Sequence, residues 1–170
     1  MMKRFPDSRG EVGVFVTCLV DLMRPSIGFA ALRLIEGAGY TPVVPDVQTC
    51  CGQPGHNAGD ANSARALARK LIAEFERFPH VVVPSGSCAG MIRTHYPHLF
   101  EDDAAWRSRA EALAARTFEL TQFLVDVAGV TDVPGLYFVG LPWLSCRGSS
   151  FIWGAWKDGE RLAGVIAARG

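Results

Sequence analysis

Three short, β-rich apolar runs each lead to a cysteine, and no other feature of the chain restricts its fold as tightly. Val12-Gly13-Val14-Phe15-Val16-Thr17 runs into Cys18. Tyr40-Thr41-Pro42-Val43-Val44-Pro45 leads to the Cys50-Cys51-Gly52 loop, and His80-Val81-Val82-Val83-Pro84 to Ser85-Gly86-Ser87-Cys88. Such runs suit strands buried on both faces. The prolines of the second run point to a sheet edge or a strand end. Between the runs lie stretches with helical spacing. One opens at Pro25 or Ser26, carries Ile27, Ala30, Ala31, Leu34 and Ile35, and stops at Gly37 and Gly39. Another covers 61–77, with Asp60 as N-cap and Ala64, Leu67, Ala68, Leu71, Ile72 and Phe75 on one face. Residues 21–25 and the stretch from Cys50 through Gly59 read as loops. Residues 101–116 have helical composition with a solvated charged face, and Leu120, Phe123, Leu124 and Val127 predict that 118–127 continue as helix. Three rounds of strand, loop and helix imply an α/β fold: a three-layer βαβ domain with a mainly parallel sheet. Ligands of such sheets bind beyond the carboxyl ends of the strands, and Cys18, Cys50, Cys51 and Cys88 all belong there.

Composition agrees with one folded domain. Of 170 residues, 49% are hydrophobic and 20% charged, enough for a core and too apolar for a disordered chain. A formal net charge of zero argues against a nucleic-acid binder with a broad basic face. Residues 1–10 read as a polar leader without the apolar stretch of a signal peptide. No apolar run reaches the roughly 18 residues of a membrane span. Five cysteines is an odd number, and their spacing does not resemble a secreted disulfide framework. The expected setting is the cytoplasm, with reduced thiols.

Thiolates select soft metals: zinc, copper(I) or iron–sulfur clusters. A structural zinc usually takes Cys-x2-4-Cys pairs, whose spacing lets two sulfurs reach one ion. Adjacent cysteines diverge along an extended chain and suit two different metal atoms, as an iron–sulfur cluster offers. Gly52 would let backbone approach such a cluster and supply amides to its sulfur. The plainer alternative is that these cysteines pack as small hydrophobes. A vicinal disulfide or a reactive thiol at Cys50 and Cys51 also stays open.

Three segments carry a specific resemblance: Val14-Phe15-Val16-Thr17-Cys18-Leu19-Val20-Asp21, Thr49-Cys50-Cys51-Gly52-Gln53-Pro54 and Pro84-Ser85-Gly86-Ser87-Cys88-Ala89-Gly90. They resemble the cysteine-rich, CCG-domain family of iron–sulfur proteins. The branch they resemble most is that of lactate-utilization protein A, related to one of the heterodisulfide reductase subunits and to the iron–sulfur subunit of glycolate oxidase. Thr94-His95-Tyr96-Pro97-His98-Leu99-Phe100 and Glu119-Leu120-Thr121-Gln122-Phe123-Leu124 resemble it too. Members carry two modules of the form Cys…Cys-Cys-Gly…Cys-x-x-Cys. The resemblance implies an iron–sulfur cluster of the 4Fe-4S type, with zinc as the alternative, held by Cys18, Cys50, Cys51 and Cys88. It implies an electron-transfer role in oxidising L-lactate, a 2-hydroxy acid, to pyruvate, in the cytoplasm and with two partner proteins. Met91 stands where the pattern has its last cysteine, so the ligand set is expected to hold four thiolates.

The expected module spans 11–134. Beyond it the resemblance fades into a divergent or truncated tail, 135–170, without a second Cys-Cys-Gly. Ser145-Cys146 reads as a remnant of the second module's first cysteine, Trp143, Trp153 and Trp156 crowd the tail, and residues 157–168 suit a short helix. A module lacking its counterpart is expected to expose apolar surface and self-associate. His56, near the Cys-Cys-Gly turn, reads as an ordinary loop histidine, and His95 and His98 as surface residues. Asp21 and Arg24 read as solvated charges. Gly86-Ser87-Cys88-Ala89-Gly90 has cysteine where a hydrolase elbow has serine, which disfavours hydrolysis. Two other functions remain open: a binding or assembly module with zinc or no metal, and a thiol–disulfide enzyme using Cys50 and Cys51.

Overall fold

The computed structural model describes residues 8–127. Strand β1 is Glu11–Val14, β2 Thr41–Val43, β3 Val81–Val83 and β4 Thr117–Glu119. They form one parallel sheet in the order β2-β1-β3-β4. Gly13 pairs with Val43 on one side and Val81 on the other. Flanking helices make this the expected three-layer α/β domain. Val12, Val14, Val81, Val82 and Val83 are fully buried, as strands covered on both faces require. The proline-bearing run is the edge strand β2, where Pro42 removes an amide without breaking an interior ladder.

Helix α1, Cys18–Met23, begins directly at the first cysteine. The stretch expected to be loop is therefore partly helical, because the Thr17 hydroxyl caps the helix by accepting the Val20 amide at 3.4 Å. Helix α2 is Pro25–Gly37, and its buried stripe is Gly28, Ala31 and Ile35. Ile27, Ala30 and Leu34, expected inward, face outward instead. The small residues let the helix lie close: a methyl added at Gly28 would stand 3.3 Å from Val16. Leu19, Leu22, Met23, Ile27 and Phe29 consequently remain exposed.

Helix α3, Gln53–Asn57, occupies part of the stretch expected to be loop. Helix α4, Ala61–Phe75, is capped by Asp60, whose carboxylate accepts the Ser63 amide at 3.0 Å. It buries Ala64, Ala68, Leu71, Ile72 and Phe75, while Leu67 is half-buried. After β3 come α5, Gly86–Gly90, a π-helical turn, Met91–His95, and α6, Tyr96–Leu99. Helix α7, Ala104–Ala115, carries exposed charges, among them the Arg109–Glu76 ion pair at 2.9 Å.

Residues 118–127 depart from expectation. Thr117–Glu119 adds strand β4 to β3, and only then follow α8, Leu120–Gln122, and a π-helical turn, Phe123–Val127. Phe123 and Leu124 are buried as expected. The leader's first seven residues, the last residues of the expected module and the tail with Cys146, its tryptophans and its short helix lie outside the described residues.

Candidate metal centre

Strand order reverses at the centre of the sheet. The chain leaves β1 for β2 at one side and returns to β3 on the other. The crevice between β1 and β3 is thus the topological switch point, where open parallel sheets bind ligands. Cys18 follows β1, Cys88 follows β3, and the Cys50-Cys51 turn enters from beyond β2.

Gln48 brings that turn in. Its Oε1 accepts the Val16 amide at 2.9 Å, and its Nε2 donates to the Val14 carbonyl at 2.9 Å. The side-chain amide continues the hydrogen-bond ladder of β1 past its end, and Cys50 lies two residues further along. Gly52 then turns the chain, with φ +84° at the N-cap of α3, a conformation glycine adopts without steric penalty. The buried Tyr96 phenol donates to the Cys51 carbonyl at 2.8 Å, tying the turn to α6. Thr17 has φ +71°, unusual for a β-branched residue. That strained geometry sits between the end of β1 and Cys18.

The four thiols meet as two adjoining pairs. Cys18 hydrogen-bonds Cys50, Cys51 hydrogen-bonds Cys88, and the charge of Cys88 is felt at Cys18. All four are free; Cys51 and Cys88 are buried, Cys18 and Cys50 half-buried. Backbone amides also point at sulfur: Leu19 at Cys18, Gln53 at Cys51, and Gly52 at Cys50 at 3.4 Å. In the buried pair the shared hydrogen bond pushes the two thiols in opposite directions. The hydrogen bond from Cys51 brings Cys88 down to about 6 against the opposing effect of burial, helped by the Ser85 and Ser87 hydroxyls. The same bond, and then burial, pushes Cys51 up. Burial, followed by the Cys50 hydrogen bond, raises Cys18.

A cleft of about 360 Å³ opens beside Cys18 and Cys50, with Leu22 and Asp21 on one wall and Val44, Pro45 and Asp46 on the other. Asp21 therefore faces the site. Met91 is fully buried in the core. His56 packs on His95 with ring centroids 4.5 Å apart, joining the helices that follow the Cys-Cys-Gly turn and Cys88. His98 is exposed and paired with Glu101 at 2.9 Å.

Among the described residues, no group of three or more His, Cys, Asp or Glu side chains is placed to hold a metal ion. The donor set is nevertheless the kind a thiophilic centre uses: four sulfurs, from three segments, with amides directed at them.

Residues 12–93 match the family model described as the CCG cysteine-rich domain. Over those residues the chain is similar to a CCG cysteine-rich domain. It is 52% identical over 125 residues to Lactate utilization protein A of Exiguobacterium sp. (strain ATCC BAA-1283 / AT1b), covering 72% of this chain and 51% of that protein. The protein of the same name from Anoxybacillus flavithermus is 48% identical over 123 residues, and that from Geobacillus kaustophilus 46% identical over 123 residues, with the same coverage. The chain spans about half the length of the curated relatives it matches. No solved structure matches it. No helix among the described residues is long and apolar enough to cross a membrane.

The side chains that shape the CCG site were only partly visible in the sequence. Gln48, Tyr96, Ser85 and Ser87 lie in or beside the cysteine-bearing and flanking motifs without a role marked by pattern, because their bonds span long stretches of chain or turn back on the cysteine itself. The Cys51–Cys88 pairing had no sequence signal, since it depends on strand order.

Proposed function

We propose that residues 11–134 form an iron–sulfur module, with Cys18, Cys50, Cys51 and Cys88 as its ligands. In this reading the protein is an electron-transfer component of an L-lactate oxidation system. One observation carries the reading: thiols from three distant segments gather at the switch point of a parallel sheet. The relatives' name, Lactate utilization protein A, supports the metabolic setting. When bound, a 4Fe-4S cluster would supply reversible one-electron storage, the hard chemistry being its own.

The chain's own residues do the rest. Gln48 and Tyr96 fix the Cys50-Cys51 turn, and the Leu19, Gly52 and Gln53 amides offset charge on three sulfurs. Burial of Cys51 and Cys88 keeps water from that side, while the cleft at Cys18 and Cys50 leaves one approach open. The protein works in the cytoplasm, beside two partner proteins that supply the lactate chemistry and accept the electrons. The exposed apolar side chains of α1 and α2 suit such contacts or self-association.

Iron and acid-labile sulfide analysis of anaerobically purified protein tests this. The expected result is iron and sulfide in a fixed ratio, lost on Cys50→Ser or Cys88→Ser. Zinc without sulfide would favour the structural alternative. The Cys51–Cys88 pair favours one further reading, a thiol–disulfide enzyme with Cys88 as the nucleophile. A reversible Cys51–Cys88 disulfide in a chain that never takes up iron would select it.

A further inference from the structure

Thr17 holds φ +71° and ψ 145°, and among the described residues no other non-glycine residue has a positive φ. A β-branched side chain is strained there, whereas glycine is not. Capping does not call for this conformation, because an N-cap residue normally sits in the ordinary β region. The strained residue is held from both sides. Upstream, Gln48 Oε1 accepts the Val16 amide at 2.9 Å. Downstream, the Thr17 carbonyl accepts the Asp21 amide at 3.0 Å and its hydroxyl accepts the Val20 amide at 3.4 Å. Val16 and Val20 both lie against Gly28 of α2, their methyls 3.3 and 3.5 Å from where a side-chain carbon there would stand. Helix α1 has six residues and one buried side chain, Val20, so packing alone does little to set its direction. That direction is set where the helix begins. Thr17 and Cys18 line the cleft together with Gln48 and Cys50.

We propose that Thr17 is a positioning residue for Cys18: its reversed φ sets the angle at which the chain enters α1, and so delivers the first thiol to the cleft beside Cys50 at a cost in fold stability. A conformation of this kind persists only where its surroundings over-determine it, and such residues cluster at functional sites. Here the surroundings are Gln48 and Gly28 before the turn and the first turn of α1 after it. The side chain of Thr17 caps the helix, while its backbone aims the thiol. The inference rests on the iron–sulfur reading only for the identity of the group that Cys18 would hold.

The test compares Thr17→Ala made with L-alanine and with D-alanine. The full chain is assembled by thioester ligation of a synthetic 1–17 peptide to residues 18–170 at Cys18. The two variants have the same composition and neither has a capping hydroxyl, so they differ only in the sign of φ that suits position 17. In the metal-free, reduced protein the D-alanine chain should unfold at a higher urea concentration than the L-alanine chain. Phenylarsine oxide bridges two thiols only when they stand close, and its binding is read as protection of Cys18 from alkylation by peptide mass spectrometry. The D-alanine chain should bind it as wild type does, and the L-alanine chain several-fold more weakly. A residue that only caps α1 would leave the two variants alike in both measurements. An L-alanine chain at least as stable as the D-alanine chain, or equal arsenical binding by the two, would overturn the proposal. Neither readout needs a metal. Failure of the wild-type chain to take up iron on anaerobic reconstitution would defeat the iron–sulfur reading alone, and the arsenical comparison would still decide the role of Thr17.

Discussion

Replacing Tyr96 with phenylalanine tests how the Cys50-Cys51 turn is held. The Tyr96 ring is fully buried, and its phenol donates to the Cys51 carbonyl at 2.8 Å. Tyr96→Phe keeps the ring packing and removes one oxygen, so the loss is confined to this bond. A hydrogen bond typically contributes about 0.5–1.5 kcal/mol net, and leaving a buried acceptor unpaired costs about 1–3 kcal/mol. The expected destabilisation is therefore about 1–3 kcal/mol. For a chain of this size the melting temperature should fall by roughly 2–4 °C per kcal/mol. Burial, and then the charges of Cys51, Cys50 and Cys88, raise the phenol well above its ordinary value of 10. A raised folded value means that Tyr96 stabilises fully below pH 10, and that this contribution falls as pH rises, because the unfolded chain loses the proton first. The advantage of wild type over Tyr96→Phe should be flat from pH 7 to about 9.5 and shrink above about 10, by up to about 1.4 kcal/mol per pH unit. Urea unfolding of both reduced proteins across that range measures it. A difference below about 0.5 kcal/mol at pH 7, or an advantage that grows above pH 10, would show that the Tyr96 phenol does not hold the turn.

Three further substitutions probe the scaffold. Gly13→Ala would place a methyl 2.5 Å from the buried Phe78 ring, so urea unfolding should show a loss of about 1–3 kcal/mol from overpacking. Gln48→Ala removes both bonds that extend β1 and should lower stability by about 1–3 kcal/mol while speeding alkylation of Cys50; unchanged alkylation would show that the turn is held otherwise. His80 lies among Tyr40, Phe118 and Phe123 with its buried Nδ1 unpartnered, and burial lowers its pKa from 6.5. A lowered folded value means that stability is present above pH 6.5 and lost as pH falls below it, so His80→Phe should flatten the acid limb of a stability-against-pH curve.

The strands were legible because Val12, Val14 and Val81-Val82-Val83 are buried on both faces and show as uninterrupted apolar runs. Strand β4 was hidden because Thr117-Phe118-Glu119 is short and abuts Leu120, Phe123 and Leu124, whose spacing suits a helix. Helix α2 misled for a different reason: besides Ile35, its buried stripe is built from Gly28 and Ala31, residues that carry little hydrophobic signal, while Ile27, Phe29 and Leu34 face out. At the site, the cysteines were visible as residues that follow strands. Their pairing, Cys18 with Cys50 and Cys51 with Cys88, follows from strand order, which a run of local patterns does not contain. Gln48 and Tyr96 act over more than thirty residues of sequence, a separation at which no local pattern marks them.

The proposal at stake is that four cysteines from three segments hold one iron–sulfur cluster. Mössbauer spectroscopy of the anaerobically reconstituted protein tests it most directly, with Cys51→Ser measured alongside. The expected spectrum is that of sulfur-ligated tetrahedral iron, lost or altered in Cys51→Ser. Iron with only oxygen or nitrogen ligands, identical in the two proteins, would contradict it.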